Sequence, residues 1–327
     1  GITTFSSSHF FVPPQGDTGS RPSGCPNGSL RFNTDSAKLE YYRGDTIGWV
    51  EVEAELTDPL DGGNRGILAG GGSPGATNDM ESHNISTFGS ALDFGDLYNS
   101  DRNQGNGQAG SRTRMLLLCG DIPGPTIHGS IIHITIASTG YSGDSGNDMT
   151  QARRLNAQFS NSTRACAAGG YEPTTNIIDF TTISSLSAGV DFGDLSSAAY
   201  FQAGSSSSTR GVIIKTSSTN TIEFVTISTT GDAIDFGDTQ VVGQSLGVAN
   251  NSTRIVIAEG ASPSLTNTIS FITTATTGNA IDFGDIVGAS RRDGVGTSSP
   301  TRGVFSCGYD GSNHHDEQHL EAFSEDK

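Results

Sequence analysis

The chain has 327 residues and carries 35 acidic against 18 basic side chains, a formal net charge of −17. This charge argues against a nucleic-acid partner, because phosphate backbones are bound by clustered Lys and Arg. Hydrophobic residues make up 33%, and the 44 glycines bring the apolar share to about 46%, which is enough for a buried core. Ser, Thr, Gly and short runs of β-branched residues dominate the rest, so we expect an all-β fold with very little helix.

Two segments come before the repeats described below. Residues 1–27 are predicted to form an extended arm, and residues 28–56 contain two or three strand-like runs and the single Trp, Trp49. The arm contains an apolar, Pro-interrupted stretch that is expected either to dock onto a partner protein or to pack on its own domain: Phe10, Phe11, Val12, Pro13 and Pro14.

An Arg precedes an apolar, strand-like run six times along the chain. Successive distances between these Arg residues are 49, 50, 46, 44 and 48 residues. The run Met115–Cys119 is the longest unbroken apolar stretch, far too short to span a membrane. The six positions are Arg65, Arg114, Arg164, Arg210, Arg254 and Arg302.

A second marker, the word Asp-Phe-Gly-Asp, keeps the same step. It begins at Asp93, Asp191, Asp235 and Asp282, and a decayed copy begins at Asp144. A third element of the type Thr-Asn-x-Ile lies between the two markers. Each unit therefore predicts three or four short strands, and a period in the forties with about four strands is typical of a β-propeller blade.

The ends of the chain suggest how the array closes. The last Arg-led run has no Asp-Phe-Gly-Asp word after it, and residues 28–56 have no Arg-led run of their own before them. We therefore expect a six-bladed propeller over residues 28–308, with a last blade shared between N- and C-terminal strands. Residues 309–327 are predicted to be a polar, acidic tail.

The repeated Arg and Asp residues are candidates for structural pairs. Strand alternation places Ile234 and Phe236 on one face and Asp235 on the other. A carboxylate buried between blades needs a partner, and the Arg fork fits a carboxylate in two bonds. We expect Asp–Arg bonds within or between blades; the alternative is that Asp starts a turn and Arg is solvated. Because such a site recurs in every unit, it is not a single catalytic centre.

The other motifs carry little functional weight. Gly105–Gly110 fits Gly-x-Gly-x-x-Gly, but no strand–helix unit surrounds it, so a dinucleotide site is not expected. His314–His319 could gather a metal but lacks a His-Glu-x-x-His pattern. The four Cys have no Cys-x-x-Cys spacing, and most of them are expected to be small core fillers. We expect no catalytic residues, no metal and no cofactor.

These units resemble the degenerate kelch-like propeller repeats of virion structural proteins from marine tailed phages, particularly those of cyanobacteria. The resemblance covers residues 65–308, although the second unit has lost its Asp-Phe-Gly-Asp and is expected to be irregular. The segment Gly19–Val52 separately resembles a short β-segment of phage tail-fibre and appendage proteins, with Arg-Pro, Arg-Phe-Asn-Thr-Asp, Leu-Glu and Trp in order.

The resemblance implies a non-enzymatic virion protein, present in several copies on the tail or capsid. Its expected partners are other virion proteins and a host cell-surface glycan or protein, with no membrane insertion. One alternative is a glycan-binding lectin or a polysaccharide depolymerase, which would need exposed aromatic residues or paired carboxylates. A cellular kelch-type interaction module is disfavoured by the fibre-like N-terminal segment.

Overall fold

The computed structural model describes residues 12–36, 38–52, 64–71, 77–87, 89–99, 106–107, 109–122, 126–215, 219–242, 247–258, 260, 265–286, 294–306, 308–310, 312–313 and 318–323, and for residues 106 and 318–322 it describes the backbone only. Within these residues the one helix is the 3-10 turn Thr18–Ser20, so the expected all-β class is confirmed. No helix in the described ranges is long and apolar enough to cross a membrane. The chain divides into two compact units, Gly1–Asp58 and Pro59–Lys327, where the sequence predicts boundaries after residues 27 and 308.

The N-terminal unit contains one four-stranded sheet with the strands in chain order. Strand β1 (Gln15–Gly16) runs parallel to β2 (Leu30–Asn33), and β3 (Lys38–Tyr42) and β4 (Trp49–Glu51) follow as antiparallel neighbours. These strands pair with one another. The described strands therefore do not show the predicted contribution of residues 28–56 to the last sheet of the repeats.

Glu40 is the polar centre of this unit. Its side chain is fully buried, forms an ion pair with Arg21 and accepts a hydrogen bond from Asn33 Nδ2 at 2.9 Å. The Arg31 guanidinium lies 4.0 Å from Glu40 Oε2 and 5.7 Å from the centroid of the Trp49 ring. Hydrogen bonding from Arg21 holds the pKa of Glu40 below its usual value. Arg21, Arg31, Asn33, Glu40 and Trp49, which belong to the segment Gly19–Val52, thus contact one another within this unit.

The described strands of the second unit form five sheets, and dividing the nine-stranded one at β8 gives six antiparallel groups, which we number along the chain as sheets 1 to 6. Sheets 3 and 4 are joined through the two-residue strand β8, which pairs in parallel with one edge of each. Sheet 1 comprises β5 (Arg65–Gly71), β6 (Thr77–Asn84) and β7 (Leu92–Asp96); after β8 (Asn106–Gly107), sheet 2 comprises β9 (Arg114–Ile122), β10 (Thr126–Thr135) and β11 (Gly143–Asp148); sheet 3 comprises β12 (Ala157–Ser160), β13 (Arg164–Gly170), β14 (Thr175–Thr182) and β15 (Val190–Asp194); sheet 4 comprises β16 (Ala203–Ser206), β17 (Arg210–Ile214), β18 (Thr221–Thr226) and β19 (Ile234–Asp238); sheet 5 comprises β20 (Gly247–Asn250), β21 (Arg254–Ala258), β22 (Thr268–Thr273) and β23 (Ile281–Asp285); sheet 6 comprises β24 (Val295–Ser298), β25 (Arg302–Ser306) and β26 (Gln318–Ala322).

The three sequence markers become the three strands of each repeat. An Arg-led strand pairs with the strand after it, and that strand pairs with the Asp-Phe-Gly-Asp strand at the edge. In sheets 3 to 6 the Gly/Ser-rich segment adds a strand on the other side of the Arg-led strand. The decayed copy at Asp144 still forms the edge strand β11 of sheet 2.

Sheet 6 is built from C-terminal residues alone. Its strand β25 lies between β24 and β26, and β26 falls in the segment predicted to be a polar tail. Phe323 follows β26 directly and is buried beside Phe305. Among the described strands, then, no N-terminal strand pairs with this sheet, and the predicted sharing of the last sheet between the chain ends is not seen. Pairing with the next segment along the chain is the commoner solution, because consecutive strands tend to be neighbours.

A β-bulge at the repeated word reverses the expected direction of one side chain. In sheet 4, Asp235 lies opposite Glu223 and Gly237 opposite Ile222, which leaves Phe236 as the extra residue. The same register shift recurs in sheets 1, 3 and 5. Because a bulge turns one residue over, Phe236 is 2% exposed while Ile234 is 63% exposed. The predicted placement of both on one face is therefore wrong.

The apolar core lies between neighbouring sheets. Alternate residues of β17 serve two neighbours: Ile213 packs with residues of sheet 3, whereas Val212 and Ile214 pack with residues of sheet 5. Cys119 and Cys166 are buried in such clusters, as predicted, and burial raises the pKa of the Cys119 thiol to about 12. A sheet that is apolar on both faces depends on both neighbours, which is the packing of a propeller-like fold.

Candidate functional site

The repeated Arg residues join each sheet to the next. In sheet 4, Arg210 Nη1 donates to the carbonyl oxygen of Thr274 in sheet 5 at 2.8 Å. The bond from Arg302 to the carbonyl oxygen of Ser86, at 2.6 Å, runs from the last sheet back to the first. The other four join Arg65 to Ile136 at 2.8 Å, Arg114 to Ile183 at 2.7 Å, Arg164 to Ile227 at 2.9 Å and Arg254 to Phe323 at 3.4 Å.

Several of these guanidinium groups also stack on aromatic rings of their own sheet. Arg210 lies 4.6 Å from the centroid of Phe224, whose ring makes an edge contact with Phe236 of the repeated word at 5.9 Å. The same arrangement occurs in sheets 3 and 5, with Arg–ring distances of 4.4 and 4.7 Å. A cation over a ring face is attracted by the ring quadrupole. Each of these three Arg side chains is therefore fixed by a ring of its own sheet and by a carbonyl oxygen of the next sheet.

The Asp residues of the repeat play a different part. Asp93, Asp191, Asp235 and Asp282 are all exposed. Asp93 Oδ1 accepts a hydrogen bond from the Gly95 N–H at 3.0 Å, and Asp144 and Gly146 form the same turn-like contact at 2.9 Å. In the described part of the chain, then, the Arg residues bond to backbone carbonyls, and Asp93 and Asp144 bond to backbone N–H groups, in place of the predicted Asp–Arg bonds.

The Gly of the repeated word is required by the adjacent sheet. Gly237 has φ +143°, and a Cβ there would lie 2.5 Å from the carbonyl carbon and oxygen of Gly278 in sheet 5. Gly193 meets Gly231 of sheet 4 in the same way. The Gly278 N–H in turn donates to the Phe236 carbonyl oxygen at 2.7 Å. The backbone of the next sheet thus approaches each of these glycines closely, which a side chain would prevent.

The predicted docking arm is described only in part. Phe10 and Phe11 lie outside the described residues, while Val12 is 57% exposed. The Pro14 carbonyl oxygen accepts a hydrogen bond from the Phe32 N–H at 2.8 Å, so the chain after Pro13 joins the N-terminal sheet.

Two buried ion pairs escaped the sequence analysis. Arg153 and Asp179 are both fully buried and paired, and Arg153 Nη2 also donates to the Ala167 carbonyl oxygen at 3.1 Å. Lys215 Nζ lies 2.9 Å from Glu223 Oε1, with both side chains almost fully buried. Asp179 and Glu223 occupy one position of the repeat, twelve residues before Asp191 and Asp235, but their cationic partners come from different positions, so the period did not predict the pairs.

A strip of non-repeating side chains is formed by the end of β9, the β13–β14 hairpin and the segments that precede β12 and β16. It comprises Asp121, Arg154, Tyr171, Glu172, Tyr200 and Phe201, which we call the loop strip. Asp121 and Tyr171 each lie seven residues after a repeat Arg, while Arg154 and Tyr200 each lie ten residues before one. The scaffold thus places different side chains at equivalent positions, and variable loops on a rigid scaffold commonly carry function.

Arg154 is the centre of the charged half of the strip. Its Nη1 lies 3.3 Å from Asp121 Oδ2, its Nη2 lies 3.1 Å from Glu172 Oε2, and its guanidinium lies 5.5 Å from the centroid of the Tyr171 ring. The Asp121 side chain is 7% exposed. Two buried atoms at this contact, Asp121 Oδ1 and Arg154 Nε, lack a hydrogen-bond partner among the described residues.

The aromatic half continues from Tyr171. The Tyr171 and Tyr200 rings are 5.0 Å apart at 44°, and Tyr200 and Phe201 are 5.4 Å apart at 50°. All three rings are half-buried. A lectin would need exposed aromatic residues on its loops, and these three, far apart in the sequence, come together only in the folded chain.

The backbone beneath the strip is strained. Leu155 and Phe201 both have φ +56°, in the left-handed region that bulky side chains avoid. The Phe201 N–H donates to the Leu155 carbonyl oxygen at 3.1 Å, and Arg154 and Tyr171 exchange two backbone hydrogen bonds. Such residues cost of order 1–3 kcal/mol each and cluster at functional sites. The strip is therefore the part of the described chain where a binding function is best sought.

The candidate metal ligands of the sequence fall largely outside the described residues. The described ranges contain no group of three or more His, Cys, Asp or Glu side chains arranged to hold a metal. His314 and His315 lie outside the described residues, and only the backbone of His319, in β26, is described. No protein-family model matches this chain, and a search of curated proteins gave no match either.

Proposed function

We propose that the six sheets are the blades of a closed, kelch-like, six-bladed propeller, and that the chain is a structural protein of a phage virion. In this proposal the propeller is displayed on the tail or capsid, in several copies, for assembly or for attachment to the host surface. It acts by binding and carries out no reaction.

The series of Arg–carbonyl bonds is the main support for a closed ring of six blades. The same residue type makes the same bond from each of the six sheets, and the Arg302–Ser86 bond connects the last sheet to the first. His83 Nε2 and Thr297 Oγ1, 2.8 Å apart, add a second contact between those two sheets. Most of the repeated sequence is thus accounted for by contacts between sheets, which suits a rigid display scaffold.

The virion assignment is supported by the two sequence resemblances. The repeat resembles propeller repeats of tailed-phage virion proteins, and the N-terminal segment resembles appendage proteins. Multiple copies on one particle would turn weak contacts into strong attachment, because the second contact becomes effectively intramolecular.

Purified particles of the encoding phage provide the test. We expect the chain among their proteins by mass spectrometry, and gold-labelled Fab fragments against it should decorate one site on the particle. Absence from purified virions would contradict the proposal. Release of reducing ends from host polysaccharide by the purified chain would contradict its non-enzymatic part.

A saccharide-binding role is the second candidate, and the loop strip is the observation that favours it. Ligand-binding sites are commonly lined by aromatic rings with a few charged or polar groups beside them, as in this strip. This candidate is compatible with attachment and is developed below.

A further inference from the structure

We propose that the loop strip binds one ring of a neutral saccharide, with Tyr171 and Tyr200 as the apolar wall and Arg154 and Asp121 as the hydrogen-bonding wall. The site deepens the attachment role proposed above, and its biological meaning rests on that role. Its existence can be tested without it.

The aromatic half sets the shape of the ligand. Two rings tilted by 44° with centroids 5.0 Å apart form a bent apolar surface. Tyr rings present an apolar body and a polar hydroxyl, and they are enriched where one side of a contact is apolar and the other wet. A pyranose ring has this same character, with C–H groups on its faces and hydroxyls around its edge.

The charged half sets the polarity of the ligand. One guanidinium against the two carboxylates of Asp121 and Glu172 gives a local charge of minus one, and the whole chain carries −17. Phosphorylated, sulfated or sialylated ligands would therefore be repelled. Arg offers several donors and carboxylates only accept, so together they match hydroxyl groups, which do both.

Unpaired atoms at the Arg154–Asp121 contact point to a missing partner. Asp121 is more than nine-tenths buried, yet its Oδ1 lacks a hydrogen-bond partner within the described residues, as does Arg154 Nε. A buried carboxylate oxygen without a partner is costly. A hydroxyl group of a ligand, or a water that the ligand displaces, would satisfy it.

The strained loops keep the two halves in place before the ligand arrives. Leu155 and Phe201 share φ +56° and are hydrogen-bonded to each other, so the loops that carry Arg154 and Tyr200 are fixed together. A preformed site avoids the cost of ordering on binding. For a single sugar ring we expect a dissociation constant of about 1 mM, typical of a small ligand with few contacts.

The test uses the full chain and a panel of methyl glycosides of glucose, galactose, mannose and N-acetylglucosamine, each at about 10 mM, followed by saturation-transfer NMR. We expect at least one neutral glycoside to bind and to lose about tenfold in affinity in Tyr200→Ala and in Arg154→Ala. The matched control is Tyr141→Ala, which removes a tyrosine that is 80% exposed outside the strip. It should bind as the wild type does.

Three outcomes would overturn the proposal: no glycoside binds, only acidic glycans bind, or binding survives in both strip variants. Circular dichroism and thermal unfolding show whether each variant is folded. If Arg154→Ala does not fold, Tyr171→Ala and Tyr200→Ala decide the matter, because each removes one ring of the apolar wall. A chain that is found in virions but binds no neutral sugar would refute this site while leaving the virion proposal intact.

Discussion

Arg302 Nη1 donates to the carbonyl oxygen of Ser86 at 2.6 Å, across 216 residues of sequence. The bond joins sheet 6 to sheet 1 with the geometry that Arg210 uses to join sheet 4 to sheet 5. The last sheet thus makes the same contact as an internal one, although it has no Asp-Phe-Gly-Asp strand within the described residues.

Removing this Arg should weaken the ring. We expect Arg302→Ala to lower the free energy of unfolding by about 1.5–3 kcal/mol, the range for a hydrogen bond to a charged group. Urea unfolding followed by circular dichroism measures the loss. Arg210→Ala is the matched control at an internal junction and should cost as much or somewhat more, because Arg210 also stacks on Phe224. A change below about 0.5 kcal/mol for Arg302→Ala alone would mean that the last-to-first bond adds nothing.

Substitution of the Gly of the repeated word should reduce stability more than substitution of another glycine with positive φ. Gly237→Ala adds a Cβ that would lie 2.5 Å from the Gly278 carbonyl, whereas a Cβ at Gly231, with φ +153°, would meet nothing within 4 Å. Both variants bear the strain of the backbone, and only Gly237→Ala also forces two sheets apart. We expect it to be less stable than Gly231→Ala by about 1–3 kcal/mol in thermal unfolding. Equal stability of the two variants would count against the contact.

The buried Arg153–Asp179 pair should be costly to break and cheap to replace. Asp179→Asn leaves a fully buried guanidinium without its counter-charge, so we expect a loss of about 3–5 kcal/mol in urea unfolding. The double variant Arg153→Met with Asp179→Leu should recover most of that loss, since an apolar pair of similar volume has no desolvation cost. If the double variant were as unstable as the single one, the loss would come from packing and not from the unpaired charge.

The N-terminal unit should lose stability in acid because of Glu40. Hydrogen bonding from Arg21 lowers the pKa of Glu40, so the carboxylate contributes stability that is fully present above its ordinary value of 4.5 and is lost as the pH falls toward the folded value. Trp49, the single Trp of the chain, packs against Tyr42 in this unit with ring centroids 5.3 Å apart and reports on it by fluorescence.

We expect the Trp49 signal to show a transition below about pH 4.5 in the wild type. In Glu40→Gln this transition should be smaller, because only Asp17 and Glu51 among the described residues of this unit then keep a lowered pKa, and the unit should already be less stable at pH 7 because Arg21 has lost its partner. A wild-type signal that is independent of pH down to about pH 2 would contradict the assigned role of Glu40.

The sequence predicted the elements that repeat and missed those that do not. The period placed the Arg-led and Asp-Phe-Gly-Asp strands correctly, because each recurs at the same step. The partner of each Arg could not be found this way, since a backbone carbonyl carries no signature in the sequence. The bulge at Phe236 was missed because one extra residue reverses strand alternation without changing composition. The strand β26 was not predicted because its sequence, Gln-His-Leu-Glu-Ala, is mostly polar.

The loop strip left a signal that could have been used. Asp121 and Tyr171 occupy one position of the repeat, and Arg154 and Tyr200 another. Comparing the units position by position would have shown unlike residues at fixed places. The contact between the loops that carry Arg154 and Tyr200 depends on the left-handed backbone of Leu155 and Phe201. Bulky residues rarely adopt this conformation, so the sequence does not predict it.

The closed ring is the central claim, and a photo-crosslink tests it most directly. Thr297 Oγ1 in sheet 6 lies 2.8 Å from His83 Nε2 in sheet 1. With benzoylphenylalanine at position 297, illumination of dilute protein should give a monomeric product in which mass spectrometry finds position 297 joined to the peptide that contains His83. A folded protein that crosslinks position 297 only to sheet 5, or to other molecules, would contradict the ring.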